Sequence, residues 1–215
     1  MDVVNIYEAA DQAIRIMNRE NLKDFGQLKA SNFDQLNVIR AVTTLYRQSR
    51  KRARRKYFEI AFEAYLIGMA ECRVEPKKAQ KMAEKTITMD WVDEILEQTD
   101  FVTLYRFDRE TERKAQRLIE ELSATANRGY AIDKALRFWS QQLGQYAINF
   151  TDYAEMKAFE DAGIEMAEWV SVEDERRCME CYALHGQIFR IEEFPRKPHW
   201  GCRCRKKPVF RTAED

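Results

Sequence analysis

Four of the chain's five cysteines and both of its histidines lie in one stretch, CMECYALHGQIFRIEEFPRKPHWGCRC, from Cys178 to Cys204. Thiolates and imidazoles are the soft ligands of transition metals, and their spacing here suits one. Cys178-x-x-Cys181 is a knuckle that turns two thiolates toward one side. Separated from it by seventeen residues, His199-x-x-Cys202-x-Cys204 supplies the other half of a tetrahedral set. The expected ligands are Cys178, Cys181, His199 and Cys202, with Cys204 as an alternative and His185 as a weaker candidate. A full set of four leaves no open position, so the expected metal is a structural zinc and not a catalytic one. Two other fates suit the same residues: a disulfide between the halves, or free thiols packed in a small core. A Cys204–His185 nucleophile pair can also be drawn, but metal or packing explains those residues as well.

The second chemical feature is RQSRKRARRK, residues 47–56, with seven cations and no acid between them. On a helix, Arg47, Arg50, Lys51, Arg52, Arg54, Arg55 and Lys56 spread around most of the circumference and spare mainly the Ser49–Ala53 strip. Their repulsion would be relieved by acids from elsewhere in the fold, by DNA phosphates, or by an acidic protein surface. Contact with phosphates alone would be blind to sequence.

Around these features the chain reads as helix after helix up to about residue 162. An amphipathic segment begins at Val4 and ends near Asn21–Gly26. A very long helix follows the capping pair Ser31-Asn32 and runs to about Arg73. Its stripe Val42, Tyr46, Ser49, Ala53, Tyr57, Ile60, Ala64 and Ile67 steps by three and four, a packing seam. A second row, Phe58, Phe62, Tyr65 and Met69, predicts that its later half is gripped on two sides. A short helix opens at Pro76, another follows Thr88, and a longer one follows Thr99-Asp100. Asn127-Arg128-Gly129 reads as a helix stop. The last helix carries Ile132, Leu136, Trp139, Leu143, Tyr146 and Phe150, and it ends at the Asp161-Ala162-Gly163 turn.

After Gly163 the period shortens. IEMAEWVSV, GQIFRI and CRKKPVF read as short strands. The expected fold is therefore mainly α: a long-helix body, residues 1–162, followed by a small α+β module, residues 163–215, which is zinc-stapled because it cannot build much core alone.

Composition bounds the function. Lys+Arg and Asp+Glu each total 36, so global charge points to no partner. No apolar run reaches the roughly 18 residues of a membrane span. The N-terminus lacks the pattern of a secretory signal, which predicts synthesis in the cytosol with reduced thiols. No glycine-rich phosphate loop or catalytic carboxylate motif is visible, so no enzymatic activity is expected.

Trp169, Asp174, the Cys178-x-x-Cys181 pair, Leu184, Gly186, Pro198-His199, Cys202-Arg203-Cys204 and Pro208, in that order, resemble the C-terminal signature of Mu F-like phage head morphogenesis proteins. These are also called minor head or minor capsid proteins of tailed phages. The Ala162-Gly163-Ile164 turn before the signature fits as well. Trp200 stands where the family has proline, and His185 where an acid is common. The resemblance implies a virion structural protein made in the host cytoplasm. It would act in head assembly at the portal-proximal interior, with the portal, other head proteins and double-stranded DNA as partners. Some relatives carry a toxin or enzymatic domain after the signature, which the five residues beyond Phe210 do not accommodate. A zinc-containing regulatory nucleic-acid-binding protein is the alternative.

Overall fold

The computed structural model describes residues 6–30, 35–97, 107–172 and 177–210. In chain order the elements are α1 (Glu8–Ala30), α2 (Gln35–Glu71), α3 (Pro76–Thr86), α4 (Met89–Glu97), α5 (Phe107–Ala124), α6 (Arg128–Asp161), β1 (Met166–Val170), α7 (Met179–Leu184), β2 (Ile188–Arg190) and β3 (Arg205–Val209). A 3₁₀ turn, Ile191–Glu193, follows β2. The expected architecture, helical body then small stranded module, is the one observed.

Local chemistry sets most helix starts. Glu75 accepts a hydrogen bond from the Lys78 N–H at 2.9 Å, and Pro76 fills the first helical position of α3, where a missing N–H costs nothing. The Thr88 hydroxyl oxygen accepts from the Trp91 N–H at 3.1 Å and begins α4. Asn127 accepts from the Tyr130 N–H at 3.1 Å and caps α6. Asn127-Arg128-Gly129 is thus a helix start where a stop was expected: the Asn side chain satisfies an orphan N–H, and Gly129 lies inside the first turn. The expected end of α1 near Gly26 is also corrected, because the helix continues to Ala30 and buries Phe25 and Leu28. The Ser31-Asn32 cap and the Thr99-Asp100 start lie outside the described residues.

The long helices α2 and α6 form the frame. Along α2, Val42, Tyr46, Ser49, Ala53, Tyr57, Ile60 and Ala64 are buried, as the stripe predicts. Tyr57 stacks on Phe150 at 4.8 Å between centroids, and Phe107 of α5 meets Tyr146 edge-on at 4.8 Å. Of the second row, Tyr65 and Met69 are fully buried, while Phe58 and Phe62 are half-buried against the same core. A polar relay crosses this core: the Trp139 indole donates to the Ser49 hydroxyl, and Ser49 donates to Asn21, each at 2.7 Å. These bonds offset much of the cost of burying such groups, although Asn21 Nδ2 has no partner among the described residues. Near the other end of α2, Gly68 lets α6 approach so closely that a Cβ there would lie 2.8 Å from the Ala158 Cβ.

The α6 chain stops at Ala162, and Gly163 (φ +75°) takes the left-handed conformation that glycine adopts without strain. Three antiparallel strands follow in the order β2-β1-β3, with Ala167 opposite Phe189 on one side and Pro208 on the other. Alternation buries Ala167 and Trp169 of β1. Ala167 joins Cys72, Phe159 and Ile191 in one small cluster. Trp169 joins Cys181, Cys202 and Cys204 in another. Cys72 is a small buried apolar residue, its thiol pushed up to about 12 by burial and by the charges of Glu71 and Glu155.

Candidate metal centre

The two halves of the cysteine-histidine stretch meet beside β1. The expected knuckle turn is a short helix, α7, whose N-cap is Cys178. The Cys178 sulfur accepts the Cys181 backbone N–H at 3.3 Å, which fixes the sulfur at the start of the helix. The second half arrives on the loop between the 3₁₀ turn and β3, where Gly201 (φ +70°) allows the chain to double back.

Cys178, Cys181 and His199 place their ligand atoms within 4.8 Å of one another, and so do Cys181, Cys202 and Cys204. Cys181 belongs to both triplets. Its sulfur is 3.7 Å from His199 Nε2 and 3.6 Å from the Cys202 sulfur. A tetrahedral zinc with bonds of about 2.3 Å to sulfur and 2.0–2.1 Å to nitrogen has S···S edges near 3.8 Å and S···N edges near 3.6 Å. Both observed separations match such edges. The site opens into a pocket of about 350 Å³ that also touches Val172, Arg177, Trp200 and Arg203.

The histidine is oriented for the task. Its Nδ1 lies 2.9 Å from the Trp200 carbonyl oxygen. A carbonyl only accepts, so Nδ1 carries the proton and Nε2 turns its lone pair toward the sulfurs. That is the arrangement by which ligating histidines are held in one tautomer. His185 does a different job. Its Nδ1 accepts the Ser171 N–H at 3.2 Å, and the residue belongs to neither triplet.

Thiol chemistry supports the same donor set. The Cys202 thiol donates to Cys204, and this, with the Val172 backbone and Cys181, holds Cys204 down to about 5 despite burial. Burial pushes Cys181 up to about 12, and hydrogen bonds to Cys178 and Cys204 add to it. Cys202 is raised chiefly by the bond it donates to Cys204, then by burial. A cation bound among these sulfurs would favour their ionised forms. The buried Trp169 N–H in the same cluster has no acceptor among the described residues. All five cysteines are free thiols, so the disulfide expectation has no counterpart in this structure. The Cys/His cluster can hold a metal ion. Its soft sulfur and nitrogen donors, five for four positions, fit tetrahedral zinc better than an oxygen-seeking cation.

Behind the ligand loop lies a charged network that neither composition nor motif announces. Lys206 is buried and reaches Glu155 at 3.1 Å and Asp152 at 3.3 Å. Burial opposes its charge, yet Asp152 and Glu155 outweigh burial and raise its pKa. Glu155 is raised by burial, with Asp152 and Glu71 adding to it and Lys206 offsetting only part. Lys197 reaches Asp152 at 2.9 Å, and Arg205 pairs with Glu71. A helical period of apolar residues hides such acids, because Glu71, Asp152 and Glu155 read as ordinary surface positions.

The basic run separates into two classes. Arg50 pairs with Asp108 at 3.1 Å, Arg52 with Glu20 at 3.2 Å and with Asp24, Arg54 with Asp93, and Lys56 with Glu59 at 2.5 Å. Acids from α1, α4 and α5 thus relieve three of the seven, and Glu59 of α2 itself a fourth. Arg47, Lys51 and Arg55 are exposed, each four residues from the next, with no ion pair among the described residues. They form a line along one face of α2. Arg40, exposed on the same face, extends it and lies outside the run that sequence reasoning singled out.

Residues 110–207, slightly under half of the chain, match the family model described as Phage Mu protein F like protein. The match begins in α5 and ends in β3, so it takes in α6 and every candidate metal ligand. No curated protein and no solved structure matches the chain. No helix among the described residues is long and apolar enough to cross a membrane.

Proposed function

We propose, from the match of residues 110–207 to the family model described as Phage Mu protein F like protein, that the chain is a Mu F-like phage head morphogenesis protein and a non-catalytic component of the virion head. In this reading it sits near the portal in the head interior and touches packaged DNA through α2. Other phage head proteins are its partners, as the family implies. The observation that carries the DNA contact is the line Arg47, Lys51 and Arg55. A rise of about 1.5 Å per residue places these three roughly 6 Å apart, close to the spacing of successive phosphates on one strand. Their charges have no acid to satisfy them among the described residues. The C-terminal module holds a structural zinc through Cys178, Cys181, His199 and Cys202 or Cys204, and this metal closes a unit with little core of its own.

Binding to unrelated duplexes, measured between about 50 and 200 mM salt, tests the contact. Each phosphate neutralised contributes about −0.9 to the slope of log affinity against log salt. Replacing Arg47, Lys51 and Arg55 with glutamine should flatten the slope by nearly 3 without loss of fold, and affinity should not depend on sequence. An unchanged slope in the triple variant removes α2 as the DNA face and leaves an acidic portal surface as its partner. The family match does not favour the regulatory alternative, which would require a preferred sequence and absence from purified heads.

A further inference from the structure

The back of the ligand loop is held by the helical body, residue by residue. The Gly201 N–H donates to Gln145 of α6 at 2.8 Å. The Cys202 carbonyl accepts from Lys197 at 2.9 Å, and Lys197 is anchored on Asp152 of α6 at 2.9 Å. Arg203 makes a two-pronged contact with Asp11 of α1, at 2.7 and 2.5 Å. The Cys204 carbonyl accepts from the Tyr7 hydroxyl at 3.2 Å, while the same hydroxyl lies 2.7 Å from Asp152. Four consecutive residues, two of them candidate ligands, thus have their backbone or side chain held, directly or for Cys202 through Lys197, by residues distant in sequence.

We infer that Tyr7, Gln145 and Asp152 are positioning residues for the metal, so that the helical body sets how tightly the C-terminal module binds zinc. The inference rests on the zinc reading given above. Its physical basis is preorganisation. A loop held with its sulfurs at tetrahedral separations spends no further ordering free energy when the ion arrives. Residues that orient ligands change metal affinity by about 10- to 100-fold when lost. Coupling between two sites is reciprocal. The metal must therefore also tighten the seat of α1, since Asp11 of that helix and Tyr7 just before it grip the loop from the far end of the chain. A knuckle that folded on its own would show neither effect.

The test uses the full chain, with zinc affinity measured by competition against a chromophoric chelator. Tyr7→Phe removes one hydroxyl, Gln145→Ala one acceptor, and Asp152→Asn the charge that anchors Lys197. Lys29→Ala, which breaks a surface pair with Asp133 on another part of the body, is the control. Each of the first three should weaken zinc binding about 10-fold or more, and the control should not. Thermal unfolding with and without zinc separates positioning from general destabilisation. A positioning residue shrinks the rise in melting temperature that zinc produces, whereas a merely structural one lowers both temperatures alike. Hydrogen exchange along α1 should slow on zinc addition. Wild-type binding with unchanged affinity in all three variants overturns the inference while leaving the zinc site standing. A wild-type chain that binds no zinc overturns both.

Discussion

Adding a single methyl group at Gly68 should destabilise the protein, against the usual effect of such a change in a helix. Glycine in a helix interior costs roughly 0.5–1 kcal/mol relative to alanine, so Gly68→Ala taken locally is favourable. The tertiary contact reverses the sign. The new Cβ would lie 2.8 Å from the Ala158 Cβ and 3.4 Å from the Glu155 carbonyl oxygen. Carbon atoms rest at about 3.5–4.0 Å, so α2 and α6 must part by roughly 1 Å. Overpacking of this kind costs about 1–3 kcal/mol. The net loss is then on the order of 1–2 kcal/mol, or about 2–8 °C in melting temperature for a chain of this size. Urea unfolding followed by circular dichroism measures it, and Ala158→Gly in the same chain should restore part of the loss. The double-mutant cycle should give a coupling of about 0.5 kcal/mol or more, as expected for residues in contact. A stabilised Gly68→Ala, or two strictly additive changes, would refute the close approach of α2 and α6.

Other consequences follow from the same packing. Lys206→Ala leaves the buried Glu155 without its cation and should cost about 3–5 kcal/mol by chemical denaturation; a loss below 1 kcal/mol would mean that Glu155 is protonated or hydrated. Asp161 accepts from Tyr65 at 2.6 Å and Thr86 at 3.2 Å and pairs with Lys157 at 2.8 Å. Burial opposes its charge, but these partners hold its carboxyl below the ordinary value of 3.8. Because the folded state binds that proton more weakly, its contribution is complete above about pH 4 and is lost as pH falls below that. Asp161→Asn should flatten the acid limb of stability below pH 4 and cost stability at neutral pH. In a Cys178→Ser/Cys181→Ser variant, a strong chelator should no longer change the melting temperature, whereas it should lower that of the parent chain. Phe62→Asp should lower stability by about 1–3 kcal/mol, since Phe62 packs half-buried on the core and stands 6.0 Å from Phe58.

The sequence by itself determined most of the elements and the candidate ligands. Steps of three and four along α2 name Tyr46, Ser49, Ala53 and Tyr57 as inward residues, because helical geometry leaves no other face for them. The change to a period of two after Gly163 announces three strands, and all three form. The cysteine and histidine spacing is legible because metal chemistry tolerates few residue types at few separations. Local ambiguity begins where one residue serves opposite ends of a helix. Asn127 both tolerates a helix stop and caps a helix start, and only the partner of its side-chain oxygen decides between them.

Tertiary structure decided which charges are available. Seven cations look alike in RQSRKRARRK, yet acids of α1, α4 and α5, remote in sequence, take three of them, and Glu59 on α2 takes a fourth. The line of Arg47, Lys51 and Arg55 emerges only after that subtraction. The contacts that clamp the ligand loop are equally invisible in one dimension, because Tyr7 and Cys204 stand 197 positions apart. Hydrophobic periodicity specifies a face, whereas an ion pair or a carbonyl contact depends on where two faces finally meet.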